Sequence, residues 1–142
     1  MIIQRNGELC RCGSKGCFEI YGSMKKLKHD FRECLNFSEE IDGEELLNSV
    51  KANLQNEKIV NVINEYIKNL CIGISNIVNL LEPEAICIGG SFVYYKDILL
   101  EKLKIELYNN DYIFYKETMP QIVVAELGND AGIIGSALYI KR

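Results

Sequence analysis

Three observations predict an α/β fold with parallel strands. Apolar residues recur every three or four positions from Ile59 to Leu81 until Pro83 stops them, which is the period of a long helix. A short apolar strand, Glu84 to Ile88, then runs into Gly89-Gly90-Ser91. Beyond an amphipathic helix carrying Leu99, Leu100, Leu103 and Leu107 comes a second strand, Gln121 to Glu126, rich in β-branched residues. Strand, helix and strand in that order join parallel neighbours.

The other elements follow the same rules of period and punctuation. Residues 1–9, with Ile2 and Ile3 ahead of Asn6-Gly7, read as the end of a strand and a turn. Phe18, Ile20, Tyr21, Met24 and Leu27 have helical spacing and predict a short helix from about Glu19 to Lys28. The acidic run Asp42-Gly43-Glu44-Glu45 begins another, with its acids at the positive end of the helix dipole. Asp130 can cap a last helix of small residues, in which Gly132 and Gly135 suit close helix packing.

The chain has 142 residues, 48% of them hydrophobic and 25% charged, enough for one core and too few for two ordinary domains. One unit is expected over 1–142, with a cysteine loop and its helix in 1–37 and helices plus two strands in 38–142. The net charge of -4 argues against nucleic acid as the partner, and Lys25, Lys26 and Lys28 read as a solvated helix face. There is neither a signal-peptide pattern nor a run of about 20 apolar residues, so a cytoplasmic protein off the membrane is expected. In that compartment the six cysteines read as metal ligands or small core residues. Cys34, Cys71 and Cys87, among apolar neighbours, take the second role.

Cys10, Cys12 and Cys17 take the first. They lie within Cys10-Arg-Cys-Gly-Ser-Lys-Gly-Cys-Phe-Glu19, where two glycines let the backbone fold back so that the sulfurs converge. A soft divalent ion, zinc above all, suits three thiolates. The fourth ligand must come from elsewhere in the fold or from water; His29, the single histidine, and Cys34 are outside candidates. A cysteine-rich site is structural rather than catalytic, because thiolates neutralise the metal and quench its Lewis acidity. Its work would be to aim a neighbour such as Glu19, whose carboxylate suits the hydroxyl donors of a sugar. A glutamate in the first turn of a helix is the plainer account of Glu19. Gly89, Gly90 and Ser91 lie at the end of a strand, where open α/β sheets bind nucleotides, and a tight turn explains them equally well.

Cys10-x-Cys12-Gly13-x-x-Gly16-Cys17-x-Glu19 resembles the CxCGxxGCxE signature of the ROK family of bacterial sugar kinases and transcriptional repressors. Glu82 to Ser91 resembles that family's strand and Gly-Gly loop, and Leu127 to Leu138 its last helix. The resemblance implies part of the C-terminal lobe of an actin-like, ribonuclease-H-like ATPase. It also implies zinc on Cys10, Cys12 and Cys17, sugar hydroxyls on Glu19, and the adenosine side of ATP at Gly89, Gly90 and Ser91; Mg is implied along with ATP, on no residue of this chain. The family's fourth zinc ligand is a histidine in an E-x-G-H motif, which the spacing would place just before Met1.

The family's Asp-x-Gly-x-Thr phosphate motif and catalytic Asn-Asp pair have no counterpart in the sequence. Asp30, Asp42, Asp97, Asp111 and Asp130 lie outside any such context and read as caps or surface residues. The expected function is therefore part of an ATP-dependent, glucokinase-like hexose kinase, inactive alone. The sugar-effector-binding part of a ROK repressor is the alternative, and a stand-alone structural remnant a third. A homodimer is expected, to cover strand edges and an apolar face.

Overall fold

The computed structural model describes residues 1–109, 112–113, 116–127 and 130–139. Its elements run α1 (Phe18–Gly22), α2 (Met24–Leu35), α3 (Gly43–Ala52), α4 (Glu57–Leu81), β1 (Ala85–Ile88), α5 (Phe92–Asn109), β2 (Gln121–Val124) and α6 (Ala131–Tyr139). A 3-10 turn, Lys116–Thr118, precedes β2.

The axis of the core is α4. Asn56 caps it by accepting the Lys58 N–H at 2.9 Å, and Glu82 ends it in the left-handed region at φ 45, immediately before Pro83. One stripe, including Ile59, Ile63, Ile67, Leu70, Cys71, Ile74 and Val78, is buried. Against it packs α5 through Ile98, Leu99, Leu103 and Leu107. From α2 and α3 come Leu27, Phe31, Leu46 and Val50, all fully buried. Each such aliphatic side chain removed from water contributes about 2 kcal/mol, which is why helical period dominates the sequence signal. Phe18 of α1 lies across Gly73 of α4 so closely that a Cβ there would strike the ring.

β1 and β2 pair in parallel, Ala85 with Gln121 through Ile88 with Val124, and α5 is their crossover. The predicted parallel arrangement is present, as a two-stranded sheet among the described residues. Ile86, Ile88, Ile122 and Val124 face the helices, while Ala85, Cys87 and Val123 point the other way and are exposed. Cys87 is therefore not a core residue as expected, because strand alternation turns it outward. Cys71 is buried and Cys34 half-buried against the core.

Further differences are local. The expected helix Glu19 to Lys28 is two helices. The chain breaks at Ser23, whose extended backbone (ψ 146) lets its Oγ accept the Lys26 N–H and start α2, which then continues to Leu35. Residues 1–9 hold no strand, only isolated antiparallel bridges from Ile2 to Cys17 and Leu9 to Lys15; the Asn6-Gly7 turn is present, with Asn6 at φ 61. Gly132 and Gly135 meet nothing within 4 Å, so the expected close packing of α6 is absent among the described residues. The described side chains of α6 are exposed, including Ile133 (72%) and Leu138 (62%). Asp42 is the expected cap, Asp97 meets Lys51 at 3.8 Å, Asp130 is exposed just before α6, and Asp111 lies outside the described residues. No helix among the described residues is long and apolar enough to cross a membrane.

Candidate functional site

The cysteine loop is ordered by its own backbone. Cys10 N–H donates to Ser14 O at 2.8 Å, Gly13 N–H to Cys10 O at 2.9 Å and Gly16 N–H to Glu8 O at 2.9 Å, forming a tight hairpin. Gly16 at φ 74 sits so close to the Gln4 carbonyl that a Cβ would collide with it, so both conformation and space demand glycine. Ile3 and Gln4 donate their N–H groups to Gly16 O, which pins the N-terminal segment beneath the hairpin. Tyr21 of α1 accepts the Glu8 N–H at 2.6 Å, and Tyr66 of α4 donates to Gly22 O at 3.2 Å. The loop is thereby tied to the core through α1.

This brings the three predicted thiols together. The sulfurs of Cys10, Cys12 and Cys17 lie within 4.8 Å of one another, and Cys12 and Cys17 are 3.5 Å apart. Tetrahedral zinc with Zn–S bonds near 2.3 Å needs sulfurs about 3.8 Å apart, so the set fits a soft divalent ion. Cys10 is buried beneath the pair, while Cys12 is exposed. The Ser14 N–H, and then hydrogen bonds from Cys17 and Cys10, hold the Cys12 thiol down to about 7. The same contact with Cys12, and then burial, push the Cys17 thiol up to about 11. A soft cation bound there would displace the thiol protons.

Neither outside candidate for a fourth ligand joins this group among the described residues. His29 stands on α2 between Glu39 (Nδ1, 2.8 Å) and Glu33 (Nε2, 3.6 Å). Cys34, on the last turn of the same helix, lies against the core.

Glu19 emerges in the first turn of α1, two residues beyond Cys17, and is 62% exposed. Its carboxylate meets the Arg11 guanidinium at 3.2 Å. Because Arg11 lies between Cys10 and Cys12, the hairpin that gathers the thiols also sets the partner of Glu19. A groove of about 260 Å³ opens there, lined by Glu8, Arg11, Glu19, Lys25, Lys26 and His29 among others. Arg11 was not legible as a site residue; a cation within C-x-C, eight residues before an acid, is the one signal for it.

The second predicted site lies at the carboxyl end of β1. Gly89 and Gly90 are exposed, Gly90 has φ 64, and Ser91 leads into α5. Val93 and Tyr94 return their N–H groups to Gly90 O and Ser91 O, so the loop and the first turn of α5 are continuous. On that turn Tyr94 and Tyr95 form one wall of a groove of about 500 Å³, with Lys28 of α2 and Leu47 and Lys51 of α3 opposite. Tyr95 is 1% exposed and its hydroxyl has no hydrogen-bond partner among the described residues. Burial raises the pKa of that phenol, which keeps it uncharged. The Lys28 ammonium lies 5.9 Å from the Tyr95 ring centroid. This wall was not read from the sequence; paired tyrosines just beyond a Gly-Gly loop are the one signal that could have found it, and the lysines, from distant helices, had none.

The sequence matches the ROK family over residues 1–142. A putative xylose repressor from Caldicellulosiruptor sp. (strain Rt8B.4) is 28% identical over 99% of this chain and 37% of that protein. A glucokinase from Thermotoga maritima is 25% identical over 100% of this chain and 48% of that enzyme. The solved ROK glucokinase of Streptomyces griseus, in complex with glucose and AMPPNP, superposes with a TM-score of 0.76 at 24% identity, covering 98% of this chain and 49% of that one. The chain thus spans half or less of the length of these relatives. Its fold is part of the α/β, actin-like ATPase fold of ROK sugar kinases. With the family match running from the cysteine loop through α6, this chain belongs to the ROK family.

Proposed function

We propose that this chain is the C-terminal part of an ATP-dependent, glucokinase-like hexose kinase, contributing one side of the sugar site and one side of the nucleotide site. The observation that carries this reading is the pairing of two grooves with the two predicted loops. Glu19 borders the first, and Gly89 to Ser91 lead into the helix that walls the second. The second groove's two tyrosines offer stacking for a base and its Lys28 and Lys51 charge for phosphates, with Glu44 and Asn48 on the same lining. In this reading Cys10, Cys12 and Cys17 hold zinc, which keeps the hairpin rigid and leaves Lewis-acid chemistry aside. Phosphoryl transfer also needs a base at the acceptor hydroxyl and groups that hold metal-bound phosphates. No acid of this sequence occupies such a context, so the isolated chain binds but does not transfer.

Calorimetric titration of the 142-residue chain with AMPPNP and Mg²⁺ tests this, beside an assay for hexose phosphorylation. Saturable binding that Gly90→Val abolishes is expected, with no turnover. Turnover by the isolated chain would refute its inactivity, and failure to bind AMPPNP would refute the kinase reading. That failure would favour the second reading, the effector-binding part of a repressor, which rests on the likeness to the Caldicellulosiruptor protein.

A further inference from the structure

The three sulfurs of the cysteine cluster differ in access and in spacing. Cys10 is buried, Cys17 half-buried and Cys12 exposed, and the Cys12 and Cys17 sulfurs stand 3.5 Å apart. That approach is set by the backbone. The Gly13 N–H donates to Cys10 O, the Gly16 N–H to Glu8 O, and Cys17 bridges to Ile2. Between the pair lie Gly13 at φ 86 and Gly16 at φ 74, whose left-handed backbone turns so short a segment back on itself. The remaining thiols are placed differently. Cys34 and Cys71 lie against the core and Cys87 on the outer face of β1, none of them in the cluster among the described residues.

We propose that Cys12 and Cys17 are a redox-active pair, which hydrogen peroxide converts to a disulfide, and that this conversion expels the zinc. The exposed Cys12 sulfur attacks the peroxide: an S–O bond forms, the O–O bond breaks and hydroxide leaves. Cys17 then attacks the sulfenic sulfur of Cys12; the S–S bond forms, the S–O bond breaks and a second hydroxide leaves. Both sulfurs are oxidised, and both peroxide oxygens are reduced to hydroxide, which solvent protonates to water. A disulfide carries no thiolate charge, so Cys10 remains as the one thiolate of the cluster and does not retain the ion. The hydrogen bonds that shape the hairpin join backbone groups only and persist, so reduction by a dithiol returns the ligands to place. The inference rests on the reading of this cluster as a zinc site and adds how the site is emptied and refilled.

The test exposes the zinc-loaded 142-residue chain to hydrogen peroxide, follows released zinc with a chromogenic chelator, and maps alkylated, unreduced protein by mass. Trypsin cuts after Arg11 and Lys15, so Cys10, Cys12 and Cys17 fall in separate peptides. Zinc should leave in step with the loss of about two thiols per ion, and one linked pair, Cys12 to Cys17, should weigh about 2 Da less than its reduced parts. Dithiothreitol with added zinc should restore the starting metal content. Cys87→Ser should release zinc at the parent's rate, and Cys10→Ser, with unchanged circular dichroism, should still form the linked pair. Zinc retained at peroxide doses that oxidise Cys87 overturns the inference and leaves the zinc reading standing. Release with the thiols driven to sulfinic acids, or with Cys10 in the linkage, does the same. A reduced chain that takes up no zinc overturns both.

Discussion

The cysteine hairpin and the α4–α5 core show two ways of ordering a chain. In the hairpin, backbone hydrogen bonds from Cys10, Gly13 and Gly16 and one obligatory glycine fix the path, and of its residues only Cys10 and Gly16 are buried. In the core, Ile63, Leu99, Leu103 and Leu107 are removed from water with scarcely a polar contact. The hairpin carries candidate chemistry because its groups point outward; the core carries none and holds the hairpin's anchor, Tyr66 and Gly73, in place. Each should therefore fail under a different perturbation.

The largest effect belongs to the core. Leu103→Ala removes a fully buried side chain between α4 and α5 and should cost about 3 kcal/mol in urea unfolding. Metal content per folded chain should stay as in the parent. A loss below about 1 kcal/mol would mean that the α4–α5 contact is looser than its burial shows.

The hairpin should respond in the opposite way. Gly16→Ala forces a side chain into a left-handed position against the Gln4 carbonyl, at a local strain of about 1–3 kcal/mol. Metal analysis should fall from about one zinc per chain to nearly none, while the far-ultraviolet helical signal persists. A variant that keeps its zinc would break the claim that this backbone path gathers the sulfurs.

These two regions were legible to different degrees, for the same physical reason. Helical period read α4 and α5 well, because burial imposes the period and Pro83 and the glycines mark the ends. The C-x-C-G-x-x-G-C spacing read the thiol cluster, since close spacing leaves the sulfurs little choice. Ser23 escaped notice because a cap in the middle of a helical pattern is a local hydrogen bond that periodicity does not register. Cys87 was misjudged because a strand buried on one face carries apolar residues on both. The second groove was invisible as a site: Lys28, Leu47, Lys51 and Tyr95 meet only after three helices pack.

The smallest effect tests whether polar ordering of the hairpin's kind also operates inside the helical core region. Asp42 starts α3 by accepting the N–H groups of Glu44 at 2.9 Å and Glu45 at 3.4 Å. Those bonds hold its carboxyl below the ordinary aspartate range. A folded-state pKa below the unfolded one means that the unfolded chain binds the extra proton first as acid is added. The stability Asp42 contributes is therefore complete above the ordinary aspartate range and disappears as pH falls through the lower, folded value. Thermal unfolding from neutral pH into that range should show a Tm that falls more steeply in the parent than in Asp42→Asn, because asparagine keeps an acceptor oxygen at the cap and does not titrate. Parallel acid slopes in the two proteins would show that the start of α3 is held by Leu46 and Val50 alone, which would put α3 wholly on the apolar side of the comparison.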